Sequence, residues 1–147
     1  MKSLVIKKIT FIMLISTTMT LWNCKKADPL FVHDSNTISQ MICSARHGAS
    51  EFRGSIFEYD KNETLITGEF TQTQIEGGYG IILFEVPETL QEDVDLSKIY
   101  LKATTTWDQM ITPSLSGRHD ITGDGIIITV KSGVGTTRLY RIRGYYQ

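Results

Sequence analysis

From residue 37 onward, apolar and polar residues alternate in short runs that end at turn-forming residues. The runs cover residues 37–45, 53–59, 64–71, 79–86, 98–105, 125–131 and 137–145. No apolar spacing typical of a helix is sustained over three turns, and the runs recur about every 10–14 positions, close to the spacing of antiparallel sandwiches. The pattern predicts an all-β fold, an antiparallel two-sheet sandwich of about seven strands.

The alternation also predicts which side chains face the interior. In the run 98–105, Ile99, Leu101 and Ala103 share one face and Tyr100, Lys102 and Thr104 the other, because successive strand residues point to opposite sides. The same reasoning predicts a core made of Ile82, Phe84, Val86, Ile99, Leu101, Ile126, Ile128, Tyr140 and Ile142. A domain of this size buries enough apolar surface to fold without disulfides.

The first 23 residues follow a different pattern. Lys2, Lys7 and Lys8 precede an uncharged, mostly apolar stretch over residues 9–22. This stretch is shorter than the about 20 residues needed to cross a bilayer, and it has the length of a signal-peptide core. Residues 1–23 are therefore predicted to be a signal peptide and are left out of the fold.

Cys24 follows this stretch in the sequence LWNC and is followed by KKAD. LWNC resembles a lipobox, and CKKAD resembles the export signal of surface lipoproteins in Bacteroidetes. The resemblance implies that Cys24 is acylated and anchors the protein to the outer membrane, facing outward, since several acyl chains together give a durable anchor. A poor cleavage site with an incidental cysteine, or an uncleaved anchor, is the alternative. Residues 24–36 would form a polar tether to a domain at 37–147.

Charge and cysteine content narrow the range of partners. From Cys24 onward the chain has 12 basic and 16 acidic side chains, a net charge of −4. A mildly acidic domain argues against a nucleic-acid partner, because phosphate binding needs a basic face.

Cys43 is left without a cysteine to pair with in the domain and lies in an apolar run. It is predicted to be a buried thiol.

Several short motifs of the domain resemble those of small immunoglobulin-like domains of unknown function in Bacteroidetes surface lipoproteins. They are VDLSKI (94–99), ITP (111–113), DIT (120–122), IIITVK (126–131) and RLYRI (138–142). The resemblance spans roughly residues 37–146 and implies an immunoglobulin-like module. It carries no catalytic residues to transfer.

Trp107 and Asp108 are the candidate ligand-binding residues. An exposed tryptophan beside a carboxylate could stack on a sugar ring and bond its hydroxyls, with Tyr79, Tyr145 and Tyr146 extending the platform. The alternative, and the commoner role in such domains, is that Trp107 packs in the core or against an edge of the sandwich. The first functional hypothesis is thus a surface module that binds a polysaccharide or another ligand.

The second hypothesis is a structural or adhesion subunit. Its sheet edges, and a basic row of Arg141 and Arg143 with Lys131, would contact another envelope protein; the alternative is a solvated strand face.

We expect no enzyme, cofactor or metal. DITGDG (120–125) begins like a calcium loop, but Lys131 occupies the position where an EF-hand needs Glu. His33, His47 and His119 lack the spacing of zinc ligands, and no nucleophile or phosphate motif is present.

Overall fold

The computed structural model describes residues 32–46 and 50–147. Residues 33–147 form one compact unit, His33–Gln147. The predicted signal peptide, Cys24 and His47 lie outside the described residues. Within the described ranges, no helix has both the length and the apolar character to cross a membrane.

Ten strands and two short helical segments make up the described chain. The strands are β1 (Gln40–Ser44), β2 (Glu51–Arg53), β3 (Ser55–Tyr59), β4 (Leu65–Ile66), β5 (Tyr79–Val86), β6 (Ile99–Thr104), β7 (Met110–Thr112), β8 (Arg118–His119), β9 (Ile126–Lys131) and β10 (Thr137–Tyr146). A single helical turn, α1 (Gln72–Ile75), precedes β5, and a 3-10 turn at Glu88–Leu90 follows it.

The strands form two sheets around one core. The small sheet has the order β2-β1-β6-β8, and the large sheet has the order β4-β3-β5-β10-β9-β7. The prediction of an all-β protein with two sheets is confirmed. The structure has ten strands where seven were predicted, and the three additional ones are β2, β7 and β8. Strand β2 is a separate strand at the start of the run 53–59, and β7 and β8 are too short to show an alternating pattern.

The large sheet is mixed rather than wholly antiparallel. Strand β10 pairs with β9 in antiparallel fashion but with β5 in parallel, with Leu139 beside Tyr79 and Tyr146 beside Val86. The prediction of antiparallel pairing throughout is therefore wrong for this pair. Alternation shows which face a residue takes but carries no information about the direction of its neighbouring strand.

The predicted faces and core are found in the structure. Eight of the nine predicted core residues are buried, and Ile126 packs against them half-buried. Cys43 is fully buried, as predicted, and the core also takes in Met41, Leu96 and Ile121. In β5, β9 and β10 the buried positions are even-numbered, so the odd-numbered side chains form the outer face of the large sheet.

The chain passes from the small sheet to the large sheet at Gly54. Its backbone N–H donates to the carbonyl of Met41 in β1, and the next residue begins β3. A Cβ atom at this position would lie 2.7 Å from Ile82 Cγ2, closer than two carbon atoms can approach without displacement. The absence of a side chain therefore lets the crossing strand lie directly on the core.

One end of the sandwich is the N-terminal pole, which we define as residues 33–38, 105–110 and 131–136. His33 O accepts from Val134 N, and Asn36 Nδ2 donates to Thr136 Oγ1 at 3.2 Å. Asn36 is buried. Residues 33–36, predicted as tether, thus belong to the folded unit, because their polar groups are bonded to its turns.

Candidate functional site

The five predicted ligand-binding residues fall in three separate places. Trp107 and Asp108 lie in the β6–β7 loop at the N-terminal pole. Tyr79 begins β5, and Tyr145 and Tyr146 end β10. Because β5 and β10 are parallel and Tyr145 lies beside Glu85, six residues separate Tyr79 from Tyr145 along the sheet. That is about 20 Å at 3.3 Å per residue, so the five residues do not form one platform.

Trp107 is wholly exposed, with a relative exposure of 100%. The expectation that it packs in the core is therefore wrong. The loop around it is nonetheless fixed: Gln109 Oε1 accepts from Thr106 N at 3.2 Å, and Gln109 Nε2 donates to the carbonyl of Ser35 at 2.7 Å. Trp107 is thus a free indole on an ordered loop.

Asp108 is used by the chain itself. Its Oδ2 accepts from the backbone N–H of His33 at 2.6 Å, and its Oδ1 lies 3.4 Å from His33 Nδ1. The His33 N–H holds the pKa of the Asp108 carboxyl below its usual value, because the hydrogen bond favours the charged form. Asp108 therefore fastens the start of the folded unit to the Trp107 loop.

Tyr145 and Tyr146 point to opposite faces of β10. The Tyr146 hydroxyl donates to the carbonyl of Val94 at 2.7 Å and accepts from Leu96 N at 3.1 Å, so it braces the segment after β5. The Tyr145 hydroxyl lies on the outer side and donates to Glu85. Of this pair, Tyr145 is the one available to a ligand.

Tyr79 joins a continuous set of apolar side chains on the outer side of the large sheet. One row across the strands runs Leu65, Tyr59, Tyr79, Leu139, and the next runs Phe57, Ile81, Arg141, Ile127. We call this surface the outer apolar face and define it by Phe57, Tyr59, Leu65, Tyr79, Ile81, Leu83, Ile127, Leu139 and Tyr145. Leu139 is 51% exposed and Ile127 49% exposed.

The two tyrosines at its centre are stacked on each other. The Tyr59 and Tyr79 ring centroids lie 5.0 Å apart with an interplanar angle of 11°. One face of each ring is therefore covered by the other ring. This geometry fixes the side chains but leaves fewer free ring faces for a sugar.

The charged groups on this side of the sheet are mostly basic. Arg141, Arg143 and Lys131 occupy odd, outward positions in β9 and β10. Arg141 Nη1 and Arg143 Nε each donate to a carbonyl of the turn before β9, at 3.0 and 2.8 Å. The outward acid in β5, Glu85, accepts from Tyr145. The predicted basic row thus crosses the outer apolar face and lies away from the sheet edges.

A buried ionic cluster lies beneath the outer apolar face and was not predicted. Arg138 Nη2 lies 2.6 Å from Glu58 Oε2, and the Tyr140 hydroxyl donates to Glu58 Oε1 at 2.6 Å. Burial raises the pKa of Glu58 above its usual value, and the hydrogen bond from Tyr140 and the charge of Arg138 offset only part of that shift. The Arg138 guanidinium, which stays protonated, is the partner that favours the charged form of Glu58.

Three features bear on the catalytic and metal sites considered from the sequence. Burial raises the pKa of the Cys43 thiol to about 12, so thiolate is scarce at neutral pH and Cys43 is a poor nucleophile. Among the described residues no three His, Cys, Asp or Glu side chains cluster so as to hold a metal ion. The Asp120 carboxylate, considered for calcium, accepts from Thr122 N and Thr122 Oγ1 within its own turn.

No family model and no curated protein matches the chain. One solved structure does: a protein from Bacteroides fragilis, provisionally described as secreted, with 14% sequence identity and a TM-score of 0.45. The alignment covers 78% of this chain and 97% of that chain. At this identity and TM-score the likeness assigns neither a family nor a function.

Proposed function

We propose that this protein is a non-catalytic lipoprotein of the outer-membrane surface that binds another envelope protein through the outer apolar face. The attachment is supported by the lipobox-like LWNC and the KKAD that follows Cys24. The assignment of the sandwich to the immunoglobulin-like modules belongs to this proposal and rests on the motif resemblance.

The exposure of apolar side chains on the outside of the large sheet carries the proposal. A sheet with one solvated face normally places polar residues there, yet Leu139, Ile127, Leu65 and Tyr145 are each more than 40% exposed. Contiguous exposed apolar surface of this kind marks a binding surface. Tyrosines and arginines, which the face combines with its aliphatic side chains, are the residues enriched in protein interfaces.

The composition of the face favours a protein over a polysaccharide. Its aliphatic side chains outnumber its aromatic ones, the Tyr59 and Tyr79 rings cover each other, and Asp108 is bonded to His33. Since Arg141, Arg143 and Lys131 make this face basic on an otherwise acidic domain, the partner surface should be apolar with an acidic rim. A second copy of this chain would bring basic groups together and fits less well.

The sheet edges are poor candidates for the same role. The outermost strands of the small sheet are β2 and β8, with three and two residues. Those of the large sheet are β4 and β7, with two and three residues. Edges this short offer few free backbone groups for pairing with another chain. The face is therefore the surface that we assign to the partner.

Site-specific photo-crosslinking on intact cells tests this function. Benzoylphenylalanine in place of Leu139 should yield one discrete protein adduct, whereas the same group in place of Lys102, exposed on the outer side of the small sheet, should not. Ile127→Glu should remove the Leu139 adduct. Three outcomes would contradict the proposal. They are the same adducts from both positions, a dimer of this chain, and an adduct whose captured partner is degraded by glycosidases rather than proteases.

A further inference from the structure

Three exposed apolar side chains surround the point where the chain enters the sandwich. They are Trp107, Met110 and Val134, with relative exposures of 100%, 57% and 55%. Trp107 is in the β6–β7 loop, Met110 is the first residue of β7, and Val134 is in the β9–β10 turn. Trp107 and Val134 lie in loops outside the outer apolar face, and Met110 lies at the rim of that face beside outward Lys131. The outer apolar face therefore does not account for the exposure of Trp107 and Val134.

His33 lies between the two loops that carry Trp107 and Val134. Its backbone N–H donates to Asp108, the neighbour of Trp107, and its carbonyl accepts from the N–H of Val134 at 3.2 Å. Met110 pairs with Lys131 at the same end of the large sheet. The exposed apolar groups are thus grouped around the first folded residue.

The length of chain before His33 limits how far this end can lie from a lipid on Cys24. His33 is nine positions after Cys24, which is at most about 30 Å of fully extended chain. The ten residues of β10 span about 33 Å, so the opposite end of the sandwich lies a full domain length farther. If Cys24 is acylated, the N-terminal pole is the end of the sandwich that the chain keeps within about 30 Å of the membrane.

The side chains there suit a membrane interface. Tryptophan is enriched at the level of lipid headgroups, because its ring is apolar and its N–H is polar. Lys131, exposed beside Met110, adds a positive charge, and anionic lipid surfaces attract lysines. The bonds from Gln109 to Thr106 and Ser35 hold the Trp107 loop in place, so insertion does not require the loop to be ordered first.

We infer that the N-terminal pole rests on the membrane, with Trp107, Met110 and Val134 seated among the lipid headgroups. This inference rests on the proposed attachment through Cys24. It places the long axis of the sandwich upright and leaves the outer apolar face open at the side.

Depth-dependent quenching of Trp107 tests the contact. Cleavage before Cys24 removes Trp22, so Trp107 is the one tryptophan of the chain 24–147. That chain is coupled through the Cys24 thiol to maleimide lipid in vesicles of phosphatidylethanolamine and phosphatidylglycerol, while buried Cys43 stays unreactive. Free protein should emit at long wavelength and be quenched by iodide. On vesicles the emission should shift to the blue, lose its iodide quenching and be quenched by lipid with a shallow nitroxide.

Two variants make the result specific. Cys24→Ser with Gln147→Cys couples the opposite end, since Gln147 follows β10, and Trp107 should then behave as in free protein. Met110→Glu with Val134→Glu should weaken the lipid quenching, whereas Thr89→Glu, an exposed position in the 3-10 turn at the far end, should not. Emission unchanged by coupling through Cys24, or equal quenching from both coupling sites, would overturn the inference.

Attachment is tested separately by metabolic labelling with a palmitate analogue. Wild type should label and Cys24→Ala should not. If labelling is absent, the proposed lipid anchor and the proposed orientation in the cell are both wrong, even if Trp107 is quenched on the vesicles. If labelling succeeds and Trp107 stays unquenched, the contact alone is wrong and the anchor stands.

Discussion

Arg138 of β10 and Glu58 of β3 form an ion pair inside the sandwich, across the strand β5 that lies between them. The guanidinium also donates to the carbonyls of Ile75, Tyr59 and Tyr79, at 2.6, 2.9 and 2.7 Å. One side chain therefore ties α1 and the ends of β3 and β5 together beneath the stacked tyrosines. We expect this buried cluster to fix the shape of the outer apolar face above it.

Arg138→Leu should destabilise the fold strongly. Removing one partner of a buried ion pair leaves the other charge unpaired and costs about 3–5 kcal/mol in the free energy of unfolding. Equilibrium denaturation measures the loss. Arg143→Leu is the control, because Arg143 is exposed, and its effect should be within about 0.5 kcal/mol. Similar losses for the two variants would show that the cluster does not hold the sheet.

Gly80→Ala should also destabilise the protein, through Tyr140. Gly80 of β5 lies between Glu58 and Tyr140 in the register, and a Cβ atom there would lie 2.1 Å from Tyr140 Cε1. Overpacking of this kind costs about 1–3 kcal/mol. Tyr140→Leu in the same chain should restore part of the loss, which a double-mutant cycle would measure. Strict additivity of the two effects would contradict the proposed contact.

Acid should release the N-terminal segment from the Trp107 loop. The pKa of Asp108 is lowered in the folded protein by the His33 N–H, so the contact stabilises above the unfolded value of about 3.9 and is lost as the pH falls through the lower folded value. The His33 amide chemical shift should titrate below pH ~3.9, and Asp108→Asn should abolish that step. A midpoint at or above the unfolded value would contradict the assignment.

Cys43 should resist thiol reagents in the native protein. Its pKa is raised to about 12 by burial, against about 8.5 for a free cysteine, and its side chain is inaccessible. With Cys24→Ser, a maleimide at pH 8 should leave the folded protein unlabelled and modify it fully in guanidinium. Rapid labelling under native conditions would mean that β1 opens readily.

The sequence alone predicts the strands of this fold better than their pairing. The bounds of β5 and the inward set of β9 follow from simple alternation, as Ile128 and Val130 show. The parallel pairing of β5 with β10 does not, since it depends on contacts distant in sequence. Arg138 shares its face with Tyr140, so alternation alone places it inside. A charged side chain is rarely buried without a partner, and Glu58 is brought opposite Arg138 only by the folded sheet.

The site was harder to predict for a similar reason. Residue type alone singles out Trp107. Its exposure depends on the loop in which it lies, and that loop has no alternating pattern from which exposure could be predicted. Tyr79 and Tyr145 do lie on one exposed face. The apolar character of that face, carried by residues such as Leu139 and Ile127, appears only when the strands are aligned across the sheet.

Cysteine accessibility on intact cells tests the central claim most directly. Leu139→Cys and Lys102→Cys place one thiol on each outer face, and a membrane-impermeant maleimide reports its labelling rate on cells and on purified protein. Because a bound partner covers the outer apolar face, Leu139→Cys should label more slowly on cells than in purified protein, whereas Lys102→Cys should label at the same rate in both. Equal rates at Leu139→Cys on cells and in solution would contradict the account.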